Sequence, residues 1–381
     1  MIKNKEKINV LIPDGDVMFA LSIIHCLSHF RNIKIHLLSK TKWVETRFSR
    51  HINSFTYYTN VIKDKEWIDI IKTEIVKREI TVLFPVHIKN IRLLSNHRAE
   101  FDGLLKNLLL PTTASFDIAN DKWYLSQFLK KKSINHPVTY NLDSITDATI
   151  ENLKFPVLLK PLEKMGGHGI QKINTKNEIP NIKLKSDFIL QEYIKGFDID
   201  MNVLSEDGII LAYSIQKGYI YSKLVYKAAL GVEFLDEKKL YKEVEKVIRE
   251  LKWSGFAHID LRFDGDHYKI IEINPRVWNS IEASEKVGVN FPYLYCLSSL
   301  YKHYKTPKYR FEKFADKTGL IKVIKSKISK KNTQYNFPEN TSIKSNLLDP
   351  LPSLYKFTIK RLRKVLPKNN KFIQQFNYDV F

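Results

Sequence analysis

An acidic turn between two short apolar strands is the feature of this sequence that most restricts its fold. The strands cover residues 257–263 and 268–276, and the Asp-Gly-Asp-His segment between them has the composition of a β-hairpin turn. Side chains alternate along a strand, so Glu272 and Asn274 share one face. If the loop takes up only the last three residues of that segment, Asp260 lies opposite Glu272 and points to the same side.

This group of Asp260, Glu272 and Asn274 has two interpretations. Carboxylates buried close together repel each other, so such a cluster favours a bound cation, and an oxygen-only donor set suits Mg²⁺. Alternatively, this face of the hairpin is exposed and the side chains are ordinary surface groups. The choice depends on whether the chain also binds a nucleotide, because Mg²⁺ is usually shared with substrate phosphates.

Glycine is scarce in this chain but concentrated in one loop. Only 13 of 381 residues are Gly, roughly half the usual share, yet Gly166, Gly167 and Gly169 surround His168. A strand-like apolar run ending at Lys160 precedes them. Glycines let backbone N–H groups approach phosphate oxygens, and a lysine that ends a buried run favours an anionic partner. The spacing excludes the P-loop and dinucleotide fingerprints, and it leaves a plain hairpin turn with a solvated Lys160 as the alternative.

A third segment, residues 187–200, runs from an apolar strand through a bend at Gly196 into an acidic patch. Backbone groups at such a bend are able to read an adenine edge, and the carboxylate of Asp198 or Asp200 is able to hold ribose hydroxyls. An edge strand that enters a turn has the same composition, so the segment gains significance only from its position between the glycine loop and the hairpin.

The order of these features resembles the ATP-grasp superfamily, which includes biotin carboxylase, D-alanine–D-alanine ligase and the large subunit of carbamoyl phosphate synthetase. The resemblance covers roughly residues 1–300 and includes the Glu-Ile-Asn-Pro-Arg motif at 272–276. It implies an α/β fold class, α+β in the ATP-binding part, in which a parallel α/β domain precedes a two-lobed ATP-grasp fold. The implied domains are a Rossmann-like domain (1–110), a small lobe with the glycine-rich loop (111–190), a large lobe with the metal site (191–300) and a basic C-terminal extension (301–381).

The front of the chain agrees with this arrangement. Apolar strand patterns alternate with helical patterns there, which indicates a parallel α/β layer. Asp14, Asp16 and His87 each follow a strand end, where parallel sheets bind ligands, so they are candidates for contact with a carboxylate substrate. Turn residues and helix caps have the same appearance.

The resemblance also implies roles for individual residues. The phosphate-binding lysines are Lys122 and Lys160. The loop that closes over the triphosphate comprises Gly166, Gly167, His168 and Gly169. Adenine binds a hinge of Gln191, Glu192, Tyr193 and Ile194, and ribose binds Asp198, with Asp200 as a competitor for that role. The metal ligands, usually for a pair of Mg²⁺ ions, are Asp260, Glu272 and Asn274, while the transferred phosphoryl group or the acyl phosphate is steadied by Arg276.

Two positions depart from the family pattern. Related ligases often have Arg two residues before the first metal ligand, whereas this chain has His258, a residue that is readily neutral at pH 7. We therefore expect Arg262 or Arg276 to supply the missing charge, or turnover to be slower. The glycine loop carries His168 where a small residue is common, and we expect its side chain to contact phosphate, with simple exposure as the alternative.

The implied activity is that of an ATP-dependent carboxylate–amine ligase that uses ATP with Mg²⁺ or Mn²⁺. In this chemistry a small-molecule carboxylate attacks the γ-phosphate and becomes an acyl phosphate, and an amine or related nucleophile then displaces phosphate. Catalysis rests mainly on positioning and charge neutralisation, for which the predicted residues are Lys160, His258 and Arg276. A small-molecule kinase, or a nucleotide-binding module without turnover, would carry the same motifs.

Composition predicts a protein without disulfides or membrane spans. At 44% hydrophobic residues the chain is able to bury more than one core. No apolar run reaches the about 18 residues that a transmembrane helix needs. Cys26 and Cys296 lie in amphipathic helical patterns, so we expect reduced packing residues and a cytoplasmic location.

Positive charge is concentrated in the last fifth of the chain. Residues 301–381 hold 19 Lys and Arg against 5 Asp and Glu, whereas residues 1–300 hold 43 against 36. Within the tail, residues 353–366 predict a basic helix with an apolar stripe formed by Leu354, Phe357, Leu362 and Val365.

Such a helix has three interpretations. It binds an anionic membrane surface peripherally, it binds nucleic acid electrostatically, or it packs its stripe on the body of the protein. Packing is the favoured interpretation and membrane contact the second. Nucleic acid is the least favoured partner, because no zinc-finger, RNA-recognition or helix-turn-helix pattern accompanies the charge. Nothing in the sequence specifies an oligomeric state.

Overall fold

The chain forms two units, each assembled from separate parts of the sequence. The computed structural model describes residues 6–17, 19–59, 63–162, 166–179, 187–222, 228–329 and 335–365. The first unit contains residues 1–110, 276–309 and 341–381, and the second contains residues 111–275 and 310–340. The segments 191–300 and 301–381, which the resemblance implies as domains, therefore each contribute to both units.

Parallel strands build the sheet of the first unit. Its elements up to residue 110 are β1 (Ile8–Ile12), α1 (Ala20–Leu27), β2 (Ile33–Ser39), β3 (Ser54–Tyr57), α2 (Asp64–Lys77), β4 (Val82–Leu83) and α3 (Ile88–Asn96), with 3-10 turns at Glu45–Phe48 and Arg98–Phe101. The strand order is β3-β2-β1-β4, and neighbouring strands run parallel. All residues of β1 are buried, as is typical of strands in parallel sheets.

The next part of the chain, residues 111–275, supplies most of the second unit. Its elements are α4 (Thr113–Asn120), α5 (Lys122–Lys131), β5 (Thr139–Asn141), α6 (Asp147–Glu151), β6 (Val157–Pro161), β7 (Gln171–Ile173), β8 (Phe188–Glu192), β9 (Phe197–Glu206), β10 (Ile209–Ile220), β11 (Gly231–Leu235), α7 (Lys238–Glu250), β12 (Gly255–Phe263) and β13 (Tyr268–Asn274). The remaining elements are α8 (Ile281–Val287), α9 (Phe291–Ser299), β14 (Lys313–Ala315), α10 (Lys317–Ile328), β15 (Asn340–Thr341), α11 (Ile343–Leu348) and α12 (Pro350–Val365).

The second unit contains two sheets. The smaller has the order β5-β8-β6-β7, and the larger has the order β13-β12-β9-β10-β11-β14-β15. Strands run antiparallel throughout the smaller sheet and from β13 to β14 of the larger one. The buried face of α7 joins the core of the larger sheet through Leu240, Val244, Val247 and Ile248. The predicted fold class, a parallel α/β domain followed by an α+β part, is confirmed.

The predicted basic helix is present as α12, but the face that it buries differs from the prediction. It packs within the first unit through Pro352 and Ile359, and the ring of Tyr355 stacks on Phe48 with centroids 4.6 Å apart. The predicted apolar stripe is therefore not the face that packs on the body, since three of its members are exposed: Leu354, Phe357 and Val365. Leu362 is half-buried, and residue 366 lies outside the described residues.

A buried carboxylate, Asp349, anchors α12 to the first unit. Its Oδ2 accepts a hydrogen bond from Ser49 Oγ at 2.5 Å and lies 3.2 Å from His25 Nε2, while its Oδ1 accepts from the Arg50 amide at 3.0 Å. Burial raises the pKa of Asp349, but these hydrogen bonds outweigh burial and hold the pKa below its ordinary value.

The two cysteines have the packing role that the sequence predicts. Cys26 and Cys296 are buried and neither is in a disulfide, and burial raises the pKa of both thiols. Within the described ranges, no helix has both the length and the apolar character needed to cross a bilayer.

Candidate functional site

The β12–β13 hairpin brings Asp260 opposite Glu272, as predicted, but by a different route. Phe263 pairs with Tyr268, so the connection is one residue longer than predicted. A β-bulge between Asp260 and Leu261 then shifts the register and restores the pairing of Asp260 with Glu272. Without the bulge the two carboxylates would lie on opposite faces of the sheet, because side chains alternate.

The amide of Asn274 lies between these carboxylates. Its Nδ2 donates to Asp260 Oδ2 at 2.9 Å and to Glu272 Oε1 at 3.1 Å. Lys122 Nζ lies 3.9 Å from the other oxygen of Glu272. The predicted metal ligands therefore converge. Because the amide is also able to turn its oxygen towards a cation, the donor set fits Mg²⁺.

The polar face continues across two further strands. Asp200 of β9 pairs with Asp260, and Asn202 pairs with His258. Gln216 of β10 pairs with Asp200 on its other side. Ligand atoms of Asp200, His258 and Asp260 all lie within 4.8 Å of one another. Asp200 therefore belongs to the carboxylate cluster, a position that we did not predict.

A sequence signal for Asp200 does exist. Polar residues alternate with apolar ones at 198, 200 and 202, as they do at 258, 260 and 262, which places each set on one face of its strand. The local sequence does not show that β9 and β12 are neighbours, since the residues that they pair lie 50 to 66 positions apart in the chain. Two such stripes reveal one site only when their strands are known to be adjacent.

Carboxyl groups this close together are not all ionised equally readily. Burial and then the charge of Asp260 raise the pKa of Asp200 well above its ordinary value, and the same causes raise the pKa of Glu272. Burial acts on Asp260 too, but the charge and hydrogen bond of His258, together with hydrogen bonds from Glu272 and Asp200, outweigh it and hold the pKa of Asp260 low. A divalent cation here would favour ionisation of all three groups.

His258 is held through both ring nitrogens. Nδ1 lies 2.7 Å from Asn202 Oδ1, and Nε2 lies 3.1 Å from Asp260 Oδ1. The Asn202 oxygen is the acceptor because its Nδ2 donates to Ser214 Oγ. Oxygen atoms at both ring nitrogens are the surroundings of a doubly protonated imidazolium, so His258 itself is placed to carry positive charge beside Asp260.

Arg262, one of the two residues predicted to replace that charge, is engaged elsewhere. Its Nε donates to the Ile194 carbonyl at 2.6 Å, its Nη2 to the Gly196 carbonyl at 2.8 Å, and its Nη1 to Asp198 Oδ1 at 2.6 Å. Because the donors of Arg262 hold the bend between β8 and β9, Arg276 and slower turnover remain the predicted alternatives for the missing charge.

The two predicted phosphate-binding lysines approach the carboxylate cluster. Lys160, at the end of β6, is buried and donates from Nζ to Gln191 Oε1 at 2.7 Å. Burial lowers the pKa of Lys160 to about 8, against the opposing charges of Glu272 and Asp260. Lys122 is the first residue of α5 and donates to the Leu162 carbonyl at 3.2 Å.

The glycine loop connects the antiparallel strands β6 and β7. Gly166, Gly167 and Gly169 have φ angles of 63°, 71° and 80°, a conformation that glycine adopts without strain. His168 is exposed, and its contact with phosphate stays a prediction. Residues 163–165, at the start of the loop, lie outside the described residues.

The predicted adenine hinge is fixed by side chains of neighbouring strands. Gln191 donates to Thr139 Oγ1 at 3.1 Å in addition to accepting from Lys160. Glu192 accepts from Lys269 Nζ at 3.1 Å and 3.3 Å. The ring of Tyr193 lies 4.3 Å from Lys172 Nζ and 5.7 Å from the Arg262 guanidinium. Ile194 is buried, whereas the side chain of Asp198 is 61% exposed.

Four of the predicted residues belong to the first unit. Arg276 lies with its guanidinium 5.1 Å from the ring of Phe19. Asp14 is buried and accepts from the Val86 amide at 2.6 Å, and burial raises its pKa to about 7. The pKa of Asp16 is likewise raised by burial. His87 is the N-cap of α3. Asp14 and His87 thus have the structural roles that the sequence left open as the alternative.

Residues 119–280 match the sequence model of the ATP-grasp domain. The matched range contains the hairpin, the glycine loop, the hinge and both lysines. The protein carries an ATP-grasp domain. Among its curated relatives, the carbamoyl phosphate synthase large chain of Clostridium acetobutylicum is 25% identical over 207 residues, which are 49% of this chain and 19% of that relative. The corresponding chain of Thermoanaerobacter sp. is 24% identical over 203 residues, so this chain spans about a fifth of these relatives.

Solved structures share the fold of the ATP-grasp domain and of the elements around it. N5-carboxyaminoimidazole synthetase from Staphylococcus aureus, complexed with ADP, superposes with a TM-score of 0.64 and 14% identity over 82% of each chain. The L-amino acid ligase from Bacillus licheniformis superposes with a TM-score of 0.59 and 17% identity over 80% of this chain and 76% of the ligase.

Proposed function

We propose that this protein is an ATP- and Mg²⁺-dependent ligase that activates a small-molecule carboxylate as an acyl phosphate for attack by an amine or related nucleophile. The observation that carries the proposal is the convergence of Asp260, Glu272 and Asn274 beside Lys122 within an ATP-grasp domain. The names of its relatives, a synthase, a synthetase and a ligase, support the same reaction class.

Asp260, Glu272 and Asn274 are the residues that would hold Mg²⁺, or Mn²⁺ in its place. Bound there, the ion supplies charge neutralisation at the β- and γ-phosphates. Asp200 adds negative charge next to this set, and His258 holds Asp260 in its ionised form through the contact at 3.1 Å.

The other residues position the nucleotide. Lys160, oriented by Gln191, and Lys122 offset phosphate charge, and the Gly166–Gly169 loop offers backbone N–H groups to the phosphates. The segment from Gln191 to Ile194 binds adenine and Asp198 binds ribose, while Arg276 steadies the transferred phosphoryl group. Closure of the glycine loop excludes water, which would otherwise hydrolyse the acyl phosphate.

Release of ADP in the presence of defined acceptors tests this proposal. The protein is incubated with MgATP and a panel of amino acids and sugar acids, each alone and each with an amine. ADP release that requires both a carboxylate and an amine supports the ligase. Release with a single hydroxyl compound establishes a kinase instead, and tight ATP binding with no release across the panel establishes a nucleotide-binding module.

We also propose a cytoplasmic location, where ATP is available, and a peripheral contact of α12 with anionic membranes. Four apolar side chains of α12 are more than half exposed: Leu351, Leu354, Phe357 and Val365. The same helix carries Lys360, Arg361 and Lys364, and basic residues near an anionic surface each contribute about 1 kcal/mol to binding. An exposed apolar stripe among lysines and arginines is the composition of an interfacial helix.

A further inference from the structure

The guanidinium of Arg262 connects groups that the proposed function assigns to nucleotide binding. Arg262 lies two residues after Asp260 on β12, on the same face of the strand, and pairs across the sheet with Asp198. Its hydrogen bonds, all between 2.6 Å and 2.8 Å, reach the carbonyls of Ile194 and Gly196 and the carboxylate of Asp198. One side chain thus holds both the end of the adenine hinge and the ribose-binding acid.

This geometry requires an arginine. The Nε and both Nη atoms each serve a different acceptor, and a planar fork with fixed donor directions is able to do so at once. A lysine has a single ammonium at the end of a flexible stem, so it would satisfy at most part of the set. The ion pair with Asp198 is exposed and therefore weak by itself, and the bond to the Gly196 carbonyl is also exposed, so the part-buried contact with the Ile194 carbonyl contributes most.

Gly196 also brings the bend into close contact with the end of β12. A Cβ on Gly196 would lie 1.8 Å from the carbonyl oxygen of Phe263, the residue that follows Arg262. Only glycine permits this approach, which brings the Gly196 carbonyl within reach of the guanidinium. The ring of Tyr193 lies over the same guanidinium at 5.7 Å, so backbone and side-chain contacts both converge on Arg262.

Fixing these carbonyls also fixes N–H directions. A peptide unit is planar, so the hydrogen bond that holds the Ile194 carbonyl sets the direction of the Lys195 N–H, which points to the opposite side. The hinge therefore presents its backbone in one orientation before a base arrives, and a pre-ordered site loses less entropy on binding.

We propose that Arg262 is a positioning residue that sets the affinity for the adenosine part of the nucleotide without contributing to the binding of its phosphates. This inference rests on the proposed function, because it takes the bend as the nucleoside site. Asp198 and the hinge then act as one unit, and loss of Arg262 loosens both while the carboxylate cluster and Lys160 keep their geometry.

Calorimetric titration of the full chain with two probes, MgATP and magnesium tripolyphosphate, tests the inference. In Arg262→Ala and Arg262→Lys we expect the Kd for MgATP to rise by about tenfold or more, the loss expected from one charge-assisted hydrogen bond. The Kd for tripolyphosphate stays within about twofold, since this probe has no nucleoside. Lys160→Ala weakens both probes. Arg310→Ala, a surface arginine of the same unit whose side chain is 57% exposed, changes neither.

Each outcome of these titrations supports or overturns the role proposed for Arg262. An unchanged MgATP affinity in both Arg262 variants overturns the inference and leaves the proposed function standing. An equal loss for both probes also overturns it, because that is the pattern of general collapse. If the unaltered protein binds tripolyphosphate but gains nothing from the nucleoside of MgATP, the proposed nucleotide site and the inference fall together. Thermal melting of each variant identifies misfolding, and Arg262→Lys supplies the comparison if Arg262→Ala does not fold.

Discussion

At the scale of single residues, Glu272 is the most direct test of the metal cluster. We expect Glu272→Ala to lower Mg²⁺-dependent ADP release by at least about 100-fold, beyond the loss typical of residues that only orient metal ligands. The fold should be retained, because burial and the charge of Asp260 already make ionised Glu272 unfavourable. Glu233→Ala, a partly exposed glutamate of the same sheet, is the matched control. Undiminished turnover in Glu272→Ala would exclude the metal assignment.

Lys160 gives the site a dependence on pH. Burial lowers the pKa of Lys160 to about 8. The side chain therefore carries the positive charge that attracts phosphate below this pH, and it loses that charge as the pH rises through this value. We therefore expect the Kd for MgATP to increase above about pH 8, by up to about tenfold per pH unit. Titration calorimetry between about pH 7.5 and 9.5 measures this slope.

The matched variant for this prediction is Lys160→Arg. Arginine stays protonated across the same range, so the affinity of the variant should not change with pH, whatever its absolute value. A pH-independent affinity in the unaltered protein would show that Lys160 is charged throughout, or that it does not face the nucleotide.

Some site residues are predictable from the local sequence, and others are predictable only once the pairing of distant strands is known. Alternation along β13 was sufficient to place Glu272 and Asn274 on one face, whereas the pairing of Asp260 with Glu272 was predicted from a three-residue loop and is reached in the structure through a longer connection and a β-bulge. Asp200 was predicted only as a possible ribose ligand and Arg262 only as a possible source of charge at the phosphoryl group, because their neighbours depend on the pairing of β9 with β12, which no local pattern encodes. His258 is placed to carry the charge whose loss we expected, because Asn202 from the neighbouring strand supplies the second acceptor.

At the scale of elements, the bend between β8 and β9 depends on a close backbone approach. In Gly196→Ala the added Cβ would lie 1.8 Å from the carbonyl oxygen of Phe263, so either the end of β12 or the bend has to move. We expect the free energy of unfolding to fall by about 3 kcal/mol, the upper part of the usual range for overpacking. Denaturant titration measures this change.

Gly265→Ala is the control for this prediction. Gly265 lies in the β12–β13 turn with φ of 116°, but nothing lies within 4 Å of its added Cβ. Only the conformational penalty of about 1–2 kcal/mol applies there. Equal destabilisation by the two substitutions would mean that the contact with Phe263 does not constrain the bend.

The docking of α12 depends on Asp349. In Asp349→Ala the buried groups of His25 and Ser49 lose their acceptor, and we expect a loss of about 2–3 kcal/mol. Because the pKa of Asp349 is lowered in the folded state, this stabilisation is complete above the ordinary carboxyl pKa and is lost as the pH falls below it. Hydrogen exchange of residues 343–365 together with denaturant titration measures the loss.

Lys356→Ala provides the comparison on the same helix. Lys356 Nζ lies 3.4 Å from Glu45 Oε1, but its side chain is 52% exposed, so we expect a change below about 1 kcal/mol. If both variants lose the same stability, the helix is held by its apolar face alone and the carboxylate is incidental.

At the scale of the whole molecule, the units do not follow the chain as the sequence suggested. The domains predicted from the order of the motifs are consecutive segments of the chain. In the structure, the first unit also includes residues 276–309 and 341–381. Hydrogen bonds join the later segment to the first part of this unit: Asn290 Nδ2 donates to the Cys26 carbonyl at 2.8 Å, and the Tyr295 hydroxyl donates to the Leu83 carbonyl at 3.2 Å. An amphipathic pattern predicts that a helix packs on the protein, but it does not identify the distant sheet or helix that it packs against.

This architecture determines how membrane contact is tested. Deletion of residues 341–381 would remove Asp349 from the first unit, so the full chain with Leu354→Ser and Phe357→Ser is the appropriate variant. We expect the unaltered protein to sediment with vesicles that contain phosphatidylglycerol and not with pure phosphatidylcholine. We also expect the double variant to lose most of this binding and added salt to weaken it, because exposed charges are screened.

The control for sedimentation is Val76→Ser on α2, where the valine is 67% exposed. It removes a surface apolar group from the same unit without changing α12. Equal sedimentation of the double variant and the unaltered protein, or equal sedimentation with both kinds of vesicle, would contradict the proposed contact.

The hydrogen bond between Ser49 and Asp349 joins residues 300 positions apart. A ribosome makes the chain from its N-terminus, so the sheet of residues 8–83 is made long before the helix α12 that packs within the same unit. Residues 111–275 are complete well before that helix is made. Nascent chains halted before position 349 should therefore leave His25 and Ser49 accessible to chaperones while residues 111–275 are already folding.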